Sequence, residues 1–375
     1  MDMSEKLKGE QMARVVVIGG GYGGITVAGG LDDIAEVILV EQKDQFVHHA
    51  AALRAAVDPV WSQTIFMPYN RLLRNGQVIH APAMGIEGNK VYVAGHDPIE
   101  ADYIVLATGS TYPYPAKHMV STAKVAQARL TQTRENLKHA KSVLLVGVGT
   151  VGIEFAGELS SVYPDLEIIM VEKEERILPT HDYTDELRKV IHAQLEERGI
   201  KIVAGSPLAY NPPVDMGALS RFQVETRNGE KIEADMWFQC YGAQTASGYL
   251  AHEFSDLMRP NGQISVDKYM RVQGHNNVYA VGDITDVKES KRADAARAHA
   301  RVVVANIRDE IEGRSPSTTY SAGKEWVILP LGPDGGASQL VEPNGDIRIV
   351  GPDETAQIKG TDLMVSMIRS QLRLP

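Results

Sequence analysis

One cysteine, Cys240, is all the thiol chemistry in this chain of 375 residues. That count excludes an intrachain disulfide and a thiolate metal cluster. No metal ligand set is read from the sequence, and a reducing interior, the cytoplasm, is the expected setting. Long apolar runs are missing too. No stretch approaches the roughly 18 residues that cross a bilayer. The opening MDMSEKLKGEQM lacks the apolar core of a signal peptide and the Met-Gly start of a myristoylated chain. It reads as a disordered lead-in. A basic excess is absent as well. Lys and Arg number 38 against 48 Asp and Glu, a net charge of −10, which argues against nucleic acid as the main partner and against strong general attraction to anionic lipid.

What the chain has is a repeated pattern of buried strands and glycine turns. Val15-Val16-Val17-Ile18 is an apolar β-branched run of the kind found in parallel strands covered on both faces. Glycines follow, then a helix over Ile25 to Leu31, then a strand Val37 to Val40 ending at Glu41. Val78 to Ile104 alternates in short pieces and predicts a small antiparallel meander, returning to the sheet at Tyr103 to Ala107. After a linker marked by Pro113 and Pro115 the pattern restarts. Strands are expected at Val143 to Val146 and Ile168 to Val171, and helices at Ile153 to Leu159 and Thr184 to Arg198. A second alternating region runs from Phe222 to Phe238, turning at Asn228-Gly229. Val278 to Val281 predicts another buried strand and Arg292 to Arg308 a helix. From about Ser321 the composition changes, with strand-like pieces and a closing helix over Asp362 to Leu372.

Two glycine clusters carry the chemistry. Gly19-Gly20-Gly21-Tyr22-Gly23-Gly24 fits G-x-G-x-x-G between a strand and a helix. Gly19 permits the tight turn, Gly21 lets backbone approach a pyrophosphate, and Gly24 allows helix and strand to pack closely. The helix N-terminus offers unpaired N–H groups to the phosphates. Glu41, 22 residues after Gly19, stands where a carboxylate accepts hydrogen bonds from an adenosine ribose. Gly147, Gly149, Thr150, Val151 and Gly152 repeat the fingerprint, with Glu172 at the next strand end. A carboxylate there favours a free 2′-hydroxyl over a 2′-phosphate, and so NADH over NADPH, although nearby Lys173 and Arg176 soften that preference.

With GGGYGG and Glu41, Ala107-Thr108-Gly109, GVGTVGIEFAGEL and NVYAVGD in this order, the chain resembles the pyridine nucleotide-disulfide oxidoreductase family, glutathione reductase class. The words FVHHAAALRAAVD, NVYAVGDITDV and PLGPDGG resemble its apoptosis-inducing-factor-2 or ferroptosis-suppressor-like subgroup. The resemblance implies an α/β fold: two Rossmann-like dinucleotide-binding domains plus a small α+β C-terminal module. It implies an FAD-binding domain in two segments, 13–116 and 243–320, an NAD(H)-binding domain at 117–242, and the C-terminal module at 321–375. The first motif, with Tyr22, Gly23, Gln42, His49, Arg54, Ala107, Thr108, Gly109, Gly282 and Asp283, would hold FAD; the second would hold NADH, with NADPH also open. One departure stands out. Disulfide reductases of the class keep a cysteine pair near the flavin, where this chain has Phe46 to Arg54 without cysteine. Electrons must then leave reduced flavin directly for an external acceptor, with a quinone favoured.

Three residues stand as catalytic candidates. Lys291, eight residues after Asp283, offers positive charge to reduced flavin, or is simply a solvated lysine. His48 is a candidate proton donor to the acceptor, or a mere packing contact. Glu154 is placed near the nicotinamide or flavin by resemblance, or is an ordinary acid at a helix start. Arg54 reads more readily as a salt-bridge residue than as a ligand, and Cys240 as a small buried apolar residue. The helix Asp362 to Leu372 has an apolar face through positions 364, 367/368 and 371/372, for core, a homodimer or, with Arg369 and Arg373, peripheral membrane contact. Alternatives to a quinone reductase are a reductase of an iron–sulfur carrier, a dehydrogenase or oxidase of a small metabolite, and a redox-sensing flavin-binding protein.

Overall fold

The computed structural model describes residues 12–180 and 182–375. The expected disordered lead-in therefore falls almost wholly outside the described residues. Strand β1 (Arg14–Ile18), helix α1 (Tyr22–Leu31) and strand β2 (Glu36–Val40) form the first βαβ unit. α2 (Ala52–Val57) follows, then β3 (Gln77–Ile79). β4 (Ala83–Glu87), β5 (Lys90–Val93) and β6 (Ile99–Glu100) make the meander, and β7 (Tyr103–Leu106) re-enters the main sheet.

The second unit contains α3 (Ala123–Leu137), β8 (Ser142–Val146), α4 (Thr150–Val162), β9 (Glu167–Val171), α5 (Asp185–Glu197) and β10 (Lys201–Val203). β11 (Phe222–Glu225), β12 (Lys231–Ala234) and β13 (Met236–Gln239) follow. The chain then returns with β14 (Val278–Ala280) and α6 (Ala293–Ile311). It ends in β15 (Val327–Pro330), β16 (Gly336–Val341), β17 (Ile347–Val350) and α7 (Val365–Gln371).

The first sheet runs β14-β7-β1-β2-β3 and the second β10-β9-β8-β13, with every pairing in both parallel. This is the expected two-sheet α/β architecture. Burial on both faces explains the apolar runs. Val15 and Val17 pack with Ile25, Leu31 and Val303 on one side of β1, while Val16 and Ile18 pack with Ile86, Val91 and Leu250 on the other. Leu144 and Val146 meet Phe222, Val224 and Trp237, and Val143 and Leu145 meet Phe155 and Ile191. Each such side chain contributes about 1.5–3 kcal/mol by leaving water.

Two strands depart from the expected pattern. Gln77–Ile79 belongs to the first parallel sheet, pairing with Ile38 to Val40, so the meander begins only at Ala83. Met236–Gln239 is not the end of the alternating region but pairs in parallel with Val143 to Val146. Only β11 and β12 form the hairpin. Short strands show which face is buried, but the partner they join is set by the tertiary fold.

The C-terminal residues close over both units. Leu329 and Leu331 enter the core beside Phe155 and Leu187. A Cβ on Gly157 would lie 2.5 Å from backbone of Leu331 and Gly332, so α4 and this segment touch main chain to main chain. The closing helix starts at Val365, later than expected, after left-handed Leu363 and Met364. It buries Val365, Ile368 and Leu372 against the core that holds α1 and α6. Its apolar face is thus a core face, through Ile368 and Leu372 as expected, beginning at Val365 instead of Met364, with Met367 left 40 % exposed. No helix among the described residues is long and apolar enough to cross a membrane.

Candidate functional site

The glycine turns are built alike. Gly19 has φ +103° and Gly147 φ +105°, values only glycine takes without strain. A Cβ on Gly24 would fall 1.8 Å from the Gly19 carbonyl oxygen, and one on Gly152 would fall 2.1 Å from that of Gly147. These glycines let strand, turn and helix close on each other. Gly21 and Gly149 have nothing within 4 Å of a built Cβ, so each helix N-terminus faces open space.

Each turn is fastened by the acidic residue at the end of the next strand. Glu41 accepts the Gly20 N–H at 2.5 Å and the Lys43 N–H at 2.9 Å. Glu172 accepts the Val148 N–H at 2.8 Å and the Glu174 N–H at 3.2 Å. Both carboxylates are buried and line the cleft.

One cleft of about 1260 Å³ joins the two turns. It is lined by Gly19, Gly21, Tyr22, Gly23, Glu41, Gln42, His48, His49, Ala107, Thr108 and Gly109 on the first side. Gly147, Gly149, Thr150, Val151 and Glu172 line the second, with Glu154, Gly282, Asp283 and Lys291 between. The residues fit a dinucleotide at each turn, since each offers an open helix N-terminus beside a buried carboxylate. His49 strengthens the fit at the first. Its Nε2 is buried with no partner, where polar atoms are otherwise satisfied. Burial, then Lys117 and Lys43, hold its pKa well below the ordinary value, so the ring is neutral.

Arg54 does not line this cleft. It lies 5 % exposed, forked onto Glu158 of α4 at 2.8–3.1 Å and donating to the Gly360 carbonyl at 2.6 Å. The salt-bridge reading of Arg54 is the one the structure shows: a buried ion pair joining α2, α4 and the C-terminal segment, with no contact on the cleft.

Of the two readings of His48, the structure favours a packing contact over a proton donor. Its Nε2 lies 2.6 Å from the Leu363 carbonyl, which can only accept, so Nε2 carries the proton. Its Nδ1 lies 3.0 Å from the Tyr22 hydroxyl, which itself accepts the Ala50 N–H at 3.1 Å, so Tyr22 donates to Nδ1. Burial lowers the pKa to about 4. The ring is neutral, and its single proton is held by backbone instead of being offered to a substrate.

Asp283 is held by Ser110 and, at 3.4 Å, by Lys117 Nζ. Burial draws the Lys117 pKa down while Asp283 opposes it. Lys291 Nζ donates to the Thr285 and Val287 carbonyls at 2.9 and 2.8 Å, clamping the loop after Asp283 while still lining the cleft. Its pKa is likewise lowered by burial. Glu154 pairs with Lys359 at 2.7 Å, and both line the cleft. Trp326, Val327, Ile328, Met364 and Met367 form an apolar wall nearby.

Sequence reasoning missed Lys117, Lys359 and Tyr69, whose hydroxyl donates to the Gly20 carbonyl at 2.8 Å. None carries a local signal. Cys240 is buried behind the second turn, its thiol pushed up to about 12 by desolvation.

Residues 13–300 match the family model described as pyridine nucleotide-disulphide oxidoreductase. The chain is 30% identical to ferroptosis suppressor protein 1 of Taeniopygia guttata over 375 residues, covering 97% of each chain. It is 29% identical to apoptosis-inducing factor homolog B of Dictyostelium discoideum, covering 96% of this chain and 97% of that one. Among solved structures it is similar to the sulfide:quinone oxidoreductase of Aquifex aeolicus, with a TM-score of 0.76 and 18% identity. That match covers 96% of this chain and 91% of the other.

Proposed function

The chain belongs to the pyridine nucleotide-disulphide oxidoreductase family, among the ferroptosis suppressor and apoptosis-inducing factor homologues, an FAD- and NAD(P)H-using group. On that premise we propose that it passes electrons from NADH to a quinone. The observation that carries this reading is the single cleft joining two glycine turns in a chain with one, buried cysteine. When bound, the flavin takes hydride from reduced nicotinamide and gives electrons to the acceptor.

The protein's part is binding, orientation and charge. In this reading the turn at Gly19 to Gly24 with Glu41 and His49 holds FAD, and the turn at Gly147 to Gly152 with Glu172 holds NADH. Residues 13–116 and 243–320 form the FAD-binding unit, 117–242 the NADH-binding unit, and 321–375 the cover. Glu172 favours NADH because its carboxylate opposes a 2′-phosphate. Lys173 lies 3.3 Å from Glu174 and Arg176 3.7 Å from Asp185 in exposed ion pairs, which offset part of their charge near the site. Asp283, backed by Lys117 and Ser110, meets the cofactor from the turn after β14. Lys291 and the Lys359–Glu154 pair set positive charge and a proton-bearing ammonium on the cleft. The wall of Trp326, Ile328, Met364 and Met367 excludes water and suits a flat apolar ring. The sulfide:quinone oxidoreductase and ferroptosis suppressor relatives support the choice of acceptor class.

The test is anaerobic mixing of the flavin-loaded protein with NADH, followed by a short-chain quinone. The flavin absorbance is expected to bleach and then return. Flavin that stays oxidised under excess NADH overturns the reading. Flavin that bleaches but is not reoxidised by quinone overturns the acceptor alone.

A further inference from the structure

Gly282 begins the turn that carries Asp283 into the cleft, and its own N–H is buried beneath it. A buried N–H needs an acceptor. Here the acceptor is a side chain from α6: Gly282 N donates to His299 Nδ1 at 3.1 Å. The two are already in close packing, because a Cβ on Gly282 would lie 3.0 Å from the Ala296 Cβ one helical turn earlier. His299 is 1 % exposed.

An imidazole accepts at Nδ1 only when that nitrogen is bare, so the ring proton must sit on Nε2. Nε2 lies 2.7 Å from Glu289 Oε1, a close contact without the alignment of a good hydrogen bond. The Tyr320 hydroxyl donates to the other Glu289 oxygen at 2.6 Å, and the Tyr320 and His299 rings meet edge to face at 4.3 Å. The carboxylate thus favours the tautomer that Gly282 requires.

Tyr320 lies on the extended segment between α6 and β15. That segment is pinned along the same face of α6. Asn306, seven residues after His299, donates to the Thr318 carbonyl at 2.9 Å and accepts the Thr318 N–H at 3.0 Å. A continuous chain therefore runs from the strap at 318–320 through Glu289 and His299 to the turn that carries Asp283.

We propose that His299, oriented by Glu289 and Tyr320, is a positioning residue for FAD, fixing the Gly282–Asp283 turn against the cofactor and linking flavin retention to the seating of the 318–320 strap. This rests on the assignment of FAD to the first turn. It does not depend on the electron acceptor.

The test is the FAD dissociation constant, read from flavin fluorescence released on dilution of the holoprotein, with thermal melting measured alongside. His299→Leu removes the acceptor. His299→Asn sets Oδ1 where Nδ1 stood. His299→Gln carries its amide out to the Nε2 position. His299→Leu and His299→Gln are expected to weaken FAD binding by about tenfold or more, and His299→Asn by no more than about threefold. A role in filling space alone gives another order, because asparagine is the smallest of the three and leaves the largest void. Where His299→Leu fails to fold, the contrast between His299→Asn and His299→Gln decides. Equal loss in Asn and Gln, or wild-type retention in all three, overturns the proposal. A wild-type chain that takes up no FAD overturns it together with the FAD assignment. A chain that holds FAD but reduces no quinone overturns only the acceptor reading.

Discussion

Gly19 and Gly147 differ by two degrees in φ, and the carboxylates of Glu41 and Glu172 each accept the N–H of the residue after the first glycine. Around these matching backbones the surroundings diverge. Tyr69 closes on Gly20, Val281 after β14 and Ala296 of α6 pack on Gly23, and Lys43, Lys117 and His49 line the walls. The second turn opens toward Lys173, Tyr210 and Tyr241, all exposed, with the last two 54 % and 47 % accessible. The same backbone device thus meets different side chains, more closely packed behind the first turn and more exposed around the second, while both helix N-termini stay open.

The joint between the halves gives the largest expected effect. Arg54→Ala leaves Glu158 buried without its fork, where desolvation already raises its pKa against the pull of Arg54. A loss of about 3–5 kcal/mol is expected, read by chemical denaturation. A change under about 1 kcal/mol means the halves are held by apolar contacts alone.

Next come the packing glycines. Gly24→Ala and Gly152→Ala each drive a methyl into a carbonyl oxygen, at a cost of about 1–3 kcal/mol or more. The comparison predicts different losses. Gly24→Ala empties the protein of FAD, whereas Gly152→Ala keeps its flavin colour and loses reduction by NADH. Flavin content and anaerobic NADH titration separate the two, and identical losses in both variants break the assignment.

The smallest effect concerns nucleotide choice. Glu172→Gln keeps an acceptor for the Val148 N–H and removes the charge. The kcat/KM ratio of NADH to NADPH is expected to fall about tenfold, or about 1.4 kcal/mol. The equivalent change at Glu41 is expected to leave that ratio alone.

Both turns, their carboxylates and the buried strands around them were legible because each is written within about 25 residues. The strands of Val78 and Met236 depart from the expected pattern because strands of three or four residues do not name their neighbours. The salt-bridge reading of Arg54 and the packing reading of His48 hold, but their partners could not be named because these come from the far end of the chain. His48 meets Leu363 across 315 residues, and Arg54 meets Gly360 across 306. Lys117 and Lys359 went unseen for the same reason, finding Asp283 and Glu154 at separations of 166 and 205.

The sequence by itself determined the two dinucleotide turns, the α/β alternation and the lack of a dithiol, since steric limits at glycine and apolar periodicity act over a few residues. Only the tertiary structure decided that His49 and not His48 keeps a free nitrogen on the cleft. It also decided that Arg54 is a joint and that the two turns sit in unlike surroundings. Those outcomes depend on which carbonyl, carboxylate or ring a distant segment brings within about 3 Å, and no local pattern encodes that meeting.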